Sequence, residues 1–301
     1  LGKVSNSHLD GESWELSAVP NNHSILANGH LAGASLPELI AEYKQELVGD
    51  FVFDTYGMSF PLLFKFIDAQ EDLSIQVHPN DELALERHNS LGKTEMWYIV
   101  DADDDASLIV GFNKSITAQE YQRHVDNDTL LEVLNRESVK KDDVLYIPAG
   151  RIHTIGKGLL IAEIQQSSDV TYRIHDFNRV NSDGKTRELH NDLALDAIDF
   201  SLPESYLTSY DVHASECIIG HSDYFITKRI RLNEPTTLRF TSESCTVLMC
   251  VDGDLNVNGI PELRNITRGE TILVPASQKE LSMVPTMNST LLEVTIPNLS
   301  E

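Results

Sequence analysis

The sequence contains few cysteines, and their positions exclude two common ways of stabilising a chain. The three cysteines, Cys217, Cys245 and Cys250, are odd in number and lie in the last third of the 301 residues. This pattern argues against a disulfide framework, and none of the cysteines belongs to a Cys-x-x-Cys zinc knuckle. We therefore expect buried structural thiols and a reducing, cytoplasmic location.

Long apolar segments are also missing. No run of about 18 apolar residues occurs, so the sequence predicts no membrane span. The first residues, LGKVSNSHLDGESW, lack the basic and then apolar pattern of a signal peptide. They also lack an initiating Met, which indicates a fragment, a processed form or a chain trimmed at its N-terminus.

Basic residues are scarce relative to acidic ones. The chain has 23 Lys and Arg against 47 Asp and Glu, a formal net charge of −24. Such a surface repels phosphate backbones, so we expect no nucleic-acid partner. Because screening limits bulk repulsion to about 8 Å at physiological salt, a small phosphorylated ligand is still permitted if basic side chains line its cleft.

Three segments of the chain have the start signals of helices. Ser35 and Thr117 each begin a capping box, with Glu38 and Glu120 three residues later. Asn80 is a plausible N-cap for the segment DELALERH. The third helix opens a predicted helical insert at about residues 114–140, in which TLLEVLN continues the helical pattern.

Most of the remaining chain predicts short strands separated by Gly, Asp, Asn and Pro, which is typical of antiparallel sandwiches and barrels. The fold class is therefore predicted to be mainly β, with a linker at residues 199–211. The predicted strands are FPLLFKFI, LSIQVH, EMWYIV, SLIVGF, DVLYIPA, LLIAEIQQ, VTYRIH, CIIG, YFITKRIRL, TLRF, CTVLMCV, LNV, TILVPA and STLLEVTI.

Two segments repeat one pattern, a charged turn, an apolar strand and Pro-Ala, at residues 141–149 and 268–276. Each resembles the second half of the cupin jelly-roll motif. The sequence thus predicts two cupin-like jelly-roll barrels: a catalytic domain at residues 1–200 with the small helical insert, and a non-catalytic domain at residues 211–301. Only the first copy continues to a possible metal ligand, His153, and so the chemistry is assigned to the N-terminal barrel.

The segment Ser74-Ile-Gln-Val-His78 carries alternating polar residues. Residues two apart on a strand share a face, so Ser74, Gln76 and His78 point to the same side. Polar groups inside a barrel are costly unless they are hydrogen-bonded or bound to a metal. Taken alone, however, a Gln-x-His pair is more often an ordinary strand histidine with a hydrogen bond.

Two further segments complete a candidate ligand set. Glu95 opens an apolar strand with Lys93 on the same face, and His153 follows a Pro-Ala-Gly turn. Gln76, His78, Glu95 and His153 offer nitrogen and oxygen donors only, which suits zinc and leaves iron and manganese open. Each residue singly is more often structural, and it is the combination that predicts a metal site.

The motifs together resemble type I phosphomannose isomerase in its short bacterial form. The resemblance covers about residues 11–190, and more loosely the C-terminal domain. One departure is Thr94, where many members have Pro. The motifs are GESWELS, FPLLFKFIDA, SIQVHP, GKTEMWYI, IPAGRIHTIGKG and SSDVTYRIHDFNR.

This resemblance implies one zinc ion per chain on Gln76, His78, Glu95 and His153. It further implies zinc-dependent interconversion of mannose 6-phosphate and fructose 6-phosphate through a cis-enediol, by a monomer or homodimer. The implied substrate contacts are Lys65, Ser74, Lys93 and Arg173. Glu12 is a further candidate for sugar binding, with an exposed edge strand as the alternative. The lysines and Arg173 would form a positive cleft in an otherwise acidic molecule.

Glu163, in the apolar run LLIAEIQQ, is the first choice for the proton-transferring base, and Arg173 and Lys93 complete the catalytic set. If Glu163 faces the barrel lumen, desolvation would raise its pKa. The alternative is an outward-facing strand residue. Two other functions stay open: a metal-dependent cupin oxygenase that uses iron, and a non-catalytic cupin that binds sugar phosphates.

Overall fold

A computed structural model describes residues 1–3, 11–180, 184–260 and 262–298. The chain forms two compact units. The central unit comprises Ile67–Thr208, and the terminal unit combines Leu1–Phe66 with Ser209–Glu301. The division predicted from the sequence, at residues 200 and 211, stays a prediction.

The described residues form short elements throughout. The helices are α1 Leu36–Tyr43, α2 Gln45–Val48, α3 Asp50–Tyr56, α4 Asp81–His88, α5 Ala118–Asp126 and α6 Asn191–Ala197, with a 3-10 turn at Leu130–Glu132. None of these helices is long and apolar enough to cross a bilayer. The strands are β1 Glu12–Leu16, β2 Leu62–Ala69, β3 Ile75–Val77, β4 Glu95–Ala102, β5 Ser107–Phe112, β6 Leu134–Ser138, β7 Val144–Ile147, β8 His153–Thr154, β9 Leu159–Gln166, β10 Tyr172–His175, β11 Glu216–His221, β12 Ile226–Leu232, β13 Thr236–Arg239, β14 Thr246–Asp252, β15 Asp254–Asn258, β16 Asn265–Thr267, β17 Thr271–Val274, β18 Glu280–Pro285 and β19 Ser289–Thr295.

The three predicted helix starts are confirmed. The carboxylate of Glu38 accepts the backbone N–H of Ser35 at 2.8 Å at the start of α1. The side chain of Asn80 accepts the N–H of Leu83 at 3.0 Å, and the hydroxyl of Thr117 accepts the N–H of Glu120 at 3.2 Å. Each bond satisfies a backbone donor that the first helical turn leaves unpaired.

The predicted helical continuation through TLLEVLN is wrong beyond one turn. After the 3-10 turn the chain becomes β6, which pairs antiparallel with β5. Leu130, Val133 and Leu134 are buried in one apolar cluster, so they satisfy a helical spacing and a strand equally well. The sheet edge offered by β5 decides the outcome, since tertiary pairing overrides weak local propensity.

The mainly β fold class is confirmed, and the part of the chain that the structure describes contains four antiparallel sheets. Their strand orders are β1-β2-β9-β4-β7, β10-β3-β8-β5-β6, β11-β12-β19-β14-β17 and β13-β18-β15-β16. The third sheet has the same strand order as the first, with every strand number larger by ten. The same shift converts β3-β8-β5-β6 into the fourth, so the chain repeats one topology.

Two strand neighbourhoods position the candidate site in the central unit. Glu95, the first residue of β4, lies opposite Gln165 of β9 and Ile147 of β7. Gln76 of β3 lies opposite both His153 of β8 and Arg173 of β10. The chain beyond β8 approaches β5 closely, because a Cβ on Gly156 would lie 1.7 Å from the backbone oxygen of Ser107.

The cysteines are free thiols, and two of the three are buried as predicted. Burial raises the pKa of the Cys245 and Cys250 thiols to about 12, which keeps both protonated and unreactive at neutral pH. Cys217 differs from the prediction, because it is only partly buried.

Candidate active site

Three side chains of the central unit converge on one point. The potential ligand atoms of His78, Glu95 and His153 all lie within 4.8 Å of one another, and all three residues are buried. The Nε2 atom of His78 lies 3.3 Å from Oε1 of Glu95, and Nε2 of His153 lies 3.7 Å from Oε2 of the same carboxylate. A single cation could therefore contact both rings and the carboxylate.

The backbone fixes the tautomer of both imidazoles. The Nδ1 atom of His78 lies 2.9 Å from the carbonyl oxygen of Val170, and Nδ1 of His153 lies 2.9 Å from that of Arg151. A carbonyl oxygen only accepts, so each Nδ1 is the protonated nitrogen. The lone pairs are therefore on the two Nε2 atoms, which face Glu95, and this is how metal-ligating histidines are usually oriented.

Electrostatics keeps these donors in the forms that bind metals. Burial, followed by the charge of Lys93, lowers the pKa of His78 to about 3. Burial also lowers the pKa of His153. For Glu95, burial acts to raise the pKa, but Lys93 and the two histidines outweigh it and hold the pKa well below its ordinary value. Two neutral imidazoles thus face an ionised carboxylate at neutral pH.

Lys93 supplies the positive charge at this point. Its Nζ atom lies 2.7 Å from Oε1 of Glu95 and 3.1 Å from Nε2 of His78, and the side chain is buried. The predicted neighbourhood of Lys93 and Glu95 is thus a direct ion pair. Its position also shows that the carboxylate and the imidazole attract a cation together.

Gln76 lies beside this group on β3. Its amide nitrogen is 3.4 Å from Nε2 of His153. The amide oxygen is the metal-binding atom of glutamine, so coordination by Gln76 requires the amide to turn. The four predicted ligands are nevertheless brought together by the structure.

The donor set fits a tetrahedral divalent cation. Ligands held tetrahedrally at about 2.0–2.1 Å from zinc are roughly 3.3–3.4 Å apart. The separation between Nε2 of His78 and Oε1 of Glu95, 3.3 Å, matches this spacing. Nε2 of His153 lies 3.7 Å from Oε2 of Glu95, so a cation at this point would draw the side chains closer together.

Glu163 faces this site rather than solvent. It is 3% exposed, and its Oε2 accepts the indole N–H of Trp97 at 2.9 Å. The same N–H lies 3.0 Å from Oε2 of Glu95. Sequence reasoning missed Trp97 because an aromatic residue in an apolar strand usually marks a core. Its spacing of two from Glu95 is the signal that could have found it, since both side chains share a face of β4.

Arg173 and Ser74 form a second polar group on the neighbouring sheet. The guanidinium Nε of Arg173 donates to the hydroxyl of Ser74 at 3.3 Å, and its Nη1 donates to the carbonyl oxygen of Glu188 at 3.0 Å. Arg187 and Arg179 both form ion pairs with the carboxylate of Asp176, three residues beyond Arg173. The local charge is thus positive in a strongly acidic chain.

Lys65 and Glu12 form their own pair within the terminal unit. The Nζ atom of Lys65 lies 3.9 Å from Oε2 of Glu12 and 5.0 Å from the ring of Trp14. Lys65 is buried, whereas the side chain of Glu12 is half exposed. Their assignment as substrate contacts stays a prediction from the resemblance.

Comparison with known proteins gives consistent results. Residues 3–111 match the family model of the type I phosphomannose isomerase catalytic domain. The chain is 42% identical over 207 residues to the mannose-6-phosphate isomerase ManA of Bacillus subtilis, which is 68% of this chain but only 64% of ManA. It is 40% identical to the probable mannose-6-phosphate isomerase GmuF of the same organism, over 73% of this chain and 69% of GmuF.

The fold agrees with a solved structure of this kind. A crystal structure of the mannose 6-phosphate isomerase from Bacillus subtilis superposes with a TM-score of 0.83 and 31% sequence identity. The match covers 94% of this chain and 89% of that chain.

Proposed function

The chain belongs to the type I phosphomannose isomerase family, and from that premise we propose that it interconverts mannose 6-phosphate and fructose 6-phosphate in a zinc-dependent reaction. The observation that carries the proposal is the convergence of two neutral Nε2 atoms on an ionised, buried carboxylate. Such a donor set has no evident structural purpose, since two imidazoles and an anion are costly to bury together.

One zinc ion per chain is held by His78, Glu95 and His153, with Gln76 as fourth ligand through its amide oxygen. Nitrogen and oxygen donors in this ratio suit zinc, and no thiolate is near in sequence to any of them. When bound, the ion supplies a Lewis acid that polarises the sugar carbonyl. With the ion bound, Lys93 would no longer occupy the space between Glu95 and His78. It would instead donate a hydrogen bond to the reacting sugar oxygen, where negative charge develops.

Glu163 is the proton-transferring base. Its carboxylate takes a proton from C2 of the aldose and returns it to C1, while the proton of the C2 hydroxyl passes to the C1 oxygen, so that a cis-enediol lies between the two sugars. The carboxylate is buried on the same strand face as the metal-binding group, which excludes water from competing for the proton. The indole N–H of Trp97 keeps it next to Glu95.

Arg173 and Ser74 hold the phosphate. A guanidinium forms bidentate, charge-assisted hydrogen bonds with phosphate oxygens. The Ser74 hydroxyl lies 3.3 Å from the Nε atom of Arg173 and offers a further donor. This local positive group explains how a chain with a net charge of −24 captures a dianionic substrate.

The repeated strand order supports the two cupin-like jelly-roll barrels predicted from the sequence. In both copies a Pro-Ala turn follows the edge strand, β7 or β17, which pairs with a central strand, β4 or β14. The metal ligands belong to the first copy only. We assign the second copy, at residues 211–301, no catalytic task, and we propose a cytoplasmic location from the three free thiols.

The experiment that tests this function follows the conversion of mannose 6-phosphate to fructose 6-phosphate by the purified chain, with metal analysis of the same sample. We expect turnover and bound zinc. Bound iron with oxygen consumption would instead favour the oxygenase. Sugar-phosphate binding without turnover would favour a non-catalytic cupin.

Removal of the Arg173 guanidinium is expected to weaken substrate binding. A charge-assisted hydrogen bond contributes about 1.5–3 kcal/mol, so Arg173→Ala should raise KM by roughly 10- to 100-fold. Arg173→Lys keeps the charge but loses the bidentate geometry, so its KM should lie between those of the parent and Arg173→Ala. Steady-state kinetics measures both, with Arg123→Ala, an exposed helix cation, as the control. An unchanged KM in stably folded Arg173→Ala would remove the phosphate role.

A further inference from the structure

Trp97 contacts two carboxylates with one donor. Its indole Nε1 lies 3.0 Å from Oε2 of Glu95 and 2.9 Å from Oε2 of Glu163. The side chain is fully buried, and its Cα is directly opposite that of Glu163 in the β4–β9 pair. Indole is a donor only, so the single N–H is shared between two carboxyl oxygens.

The same ring contacts a third member of the site. The Trp97 and His153 ring centroids are 5.2 Å apart with an interplanar angle of 83°, an edge-to-face arrangement. Trp97 therefore touches two of the candidate zinc ligands and the candidate base.

We propose that Trp97 is a positioning residue that couples the metal ligand Glu95 to the base Glu163. The proposal rests on the function proposed above. Two carboxylates brought together in a buried site repel each other, and a shared N–H offsets part of that repulsion. By holding Oε2 of Glu95, which lies 3.7 Å from Nε2 of His153, the indole fixes the carboxylate with Oε1 directed at His78 and Lys93.

Replacing Trp97 by phenylalanine removes the donor and keeps a buried aromatic ring. Partners in the outer shell of a metal site typically change metal affinity or activity by about 10- to 100-fold. We expect Trp97→Phe to weaken zinc binding by that factor in a chelator competition and to lower kcat similarly, with KM for mannose 6-phosphate within about threefold of the parent. A purely structural role would lower stability without this split.

Tyr98→Phe is the matched control. Tyr98 is the next residue of β4, is equally buried, and donates its hydroxyl to Asp142 at 2.5 Å on the opposite face of the strand. The control therefore loses a partly buried hydrogen bond on the face of β4 away from Glu95. It should lose stability to a similar degree while keeping the parent zinc affinity and kcat.

An isosteric analogue covers the case in which Trp97→Phe fails to fold. The chain has only two tryptophans, Trp14 and Trp97. In a Trp14→Phe background, biosynthetic replacement of tryptophan by benzothienylalanine changes the Trp97 N–H to sulfur and retains the ring shape. The comparison is with the same background carrying ordinary tryptophan.

The possible outcomes distinguish failure of this inference from failure of the proposed function. A 10- to 100-fold loss of zinc affinity and kcat in the analogue supports the inference. A parent that binds zinc and turns over, with an analogue that matches its background within about threefold, overturns the inference alone. A parent without zinc and without turnover overturns the proposed function and the inference with it.

Discussion

Replacement of His78 by alanine is expected to abolish stoichiometric zinc binding and to lower kcat/KM by roughly 10³-fold or more. The Nε2 atom of His78 lies 3.3 Å from Glu95, and its Nδ1 is fixed by the carbonyl of Val170. Among the described residues, no other neutral nitrogen lies where His78 Nε2 does. Without the ring, the Nζ atom of Lys93, now 3.1 Å from Nε2, would occupy the space. A Lewis acid contributes several kcal/mol to charge stabilisation, and about 4 kcal/mol corresponds to 10³ in rate.

His124→Ala is the control for this variant. His124 lies in α5, and its Nδ1 contacts the hydroxyl of Thr129 at 2.9 Å, so its loss removes an imidazole without touching the candidate ligands. Zinc per chain and kcat/KM are measured for both variants, and circular dichroism establishes that both are folded. Full zinc and near-parent turnover in folded His78→Ala would exclude His78 as a ligand.

Replacement of Glu163 by glutamine is expected to lower kcat by about 10² to 10⁴, the range typical of a general base. The amide retains an oxygen that can accept the Trp97 N–H, so the packing around it should persist. Zinc binding should therefore stay close to that of the parent. Full zinc binding together with a strongly lowered kcat distinguishes a base from a metal ligand.

Glu86→Gln provides the matched control, because it makes the same change on the exposed face of α4. Exchange of the C2 proton of mannose 6-phosphate with deuterated solvent measures the step directly. Glu163→Gln should suppress that exchange as strongly as turnover. Exchange at the parent rate in zinc-loaded Glu163→Gln would transfer the role of base to another residue.

Local patterns in the sequence accounted for the parts of the site that lie on regular strands. Alternation along β3 predicted that Gln76 and His78 share a face, and the capping signals located α1, α4 and α5. His153 was found from its turn motif, although β8 is only two residues long and has no periodicity of its own. Lys93 lies just before β4, and its closeness to Glu95 in the sequence predicted the neighbourhood that the structure shows as an ion pair.

The remaining features depend on contacts that are distant in sequence. Trp97 gains its importance from Glu163, 66 residues away, so its own strand predicts only a core position. The terminal unit is joined by bonds such as those from the N–H of Cys245 to the oxygen of Val48 and from the N–H of Ala276 to the oxygen of Leu47, both 2.9 Å. No periodicity along the chain encodes such partners, so the grouping of residues 1–66 with 209–301 becomes visible only in the folded chain.

The most direct test of the central claim is metal removal and reconstitution of the full chain. The protein is stripped with a chelator, zinc is returned in substoichiometric steps, and mannose 6-phosphate isomerisation is measured at each step. We predict that turnover disappears on stripping and returns in proportion to bound zinc, reaching its maximum at one ion per chain. Turnover that survives complete removal of the metal, or that never appears in protein carrying one zinc per chain, would contradict the account.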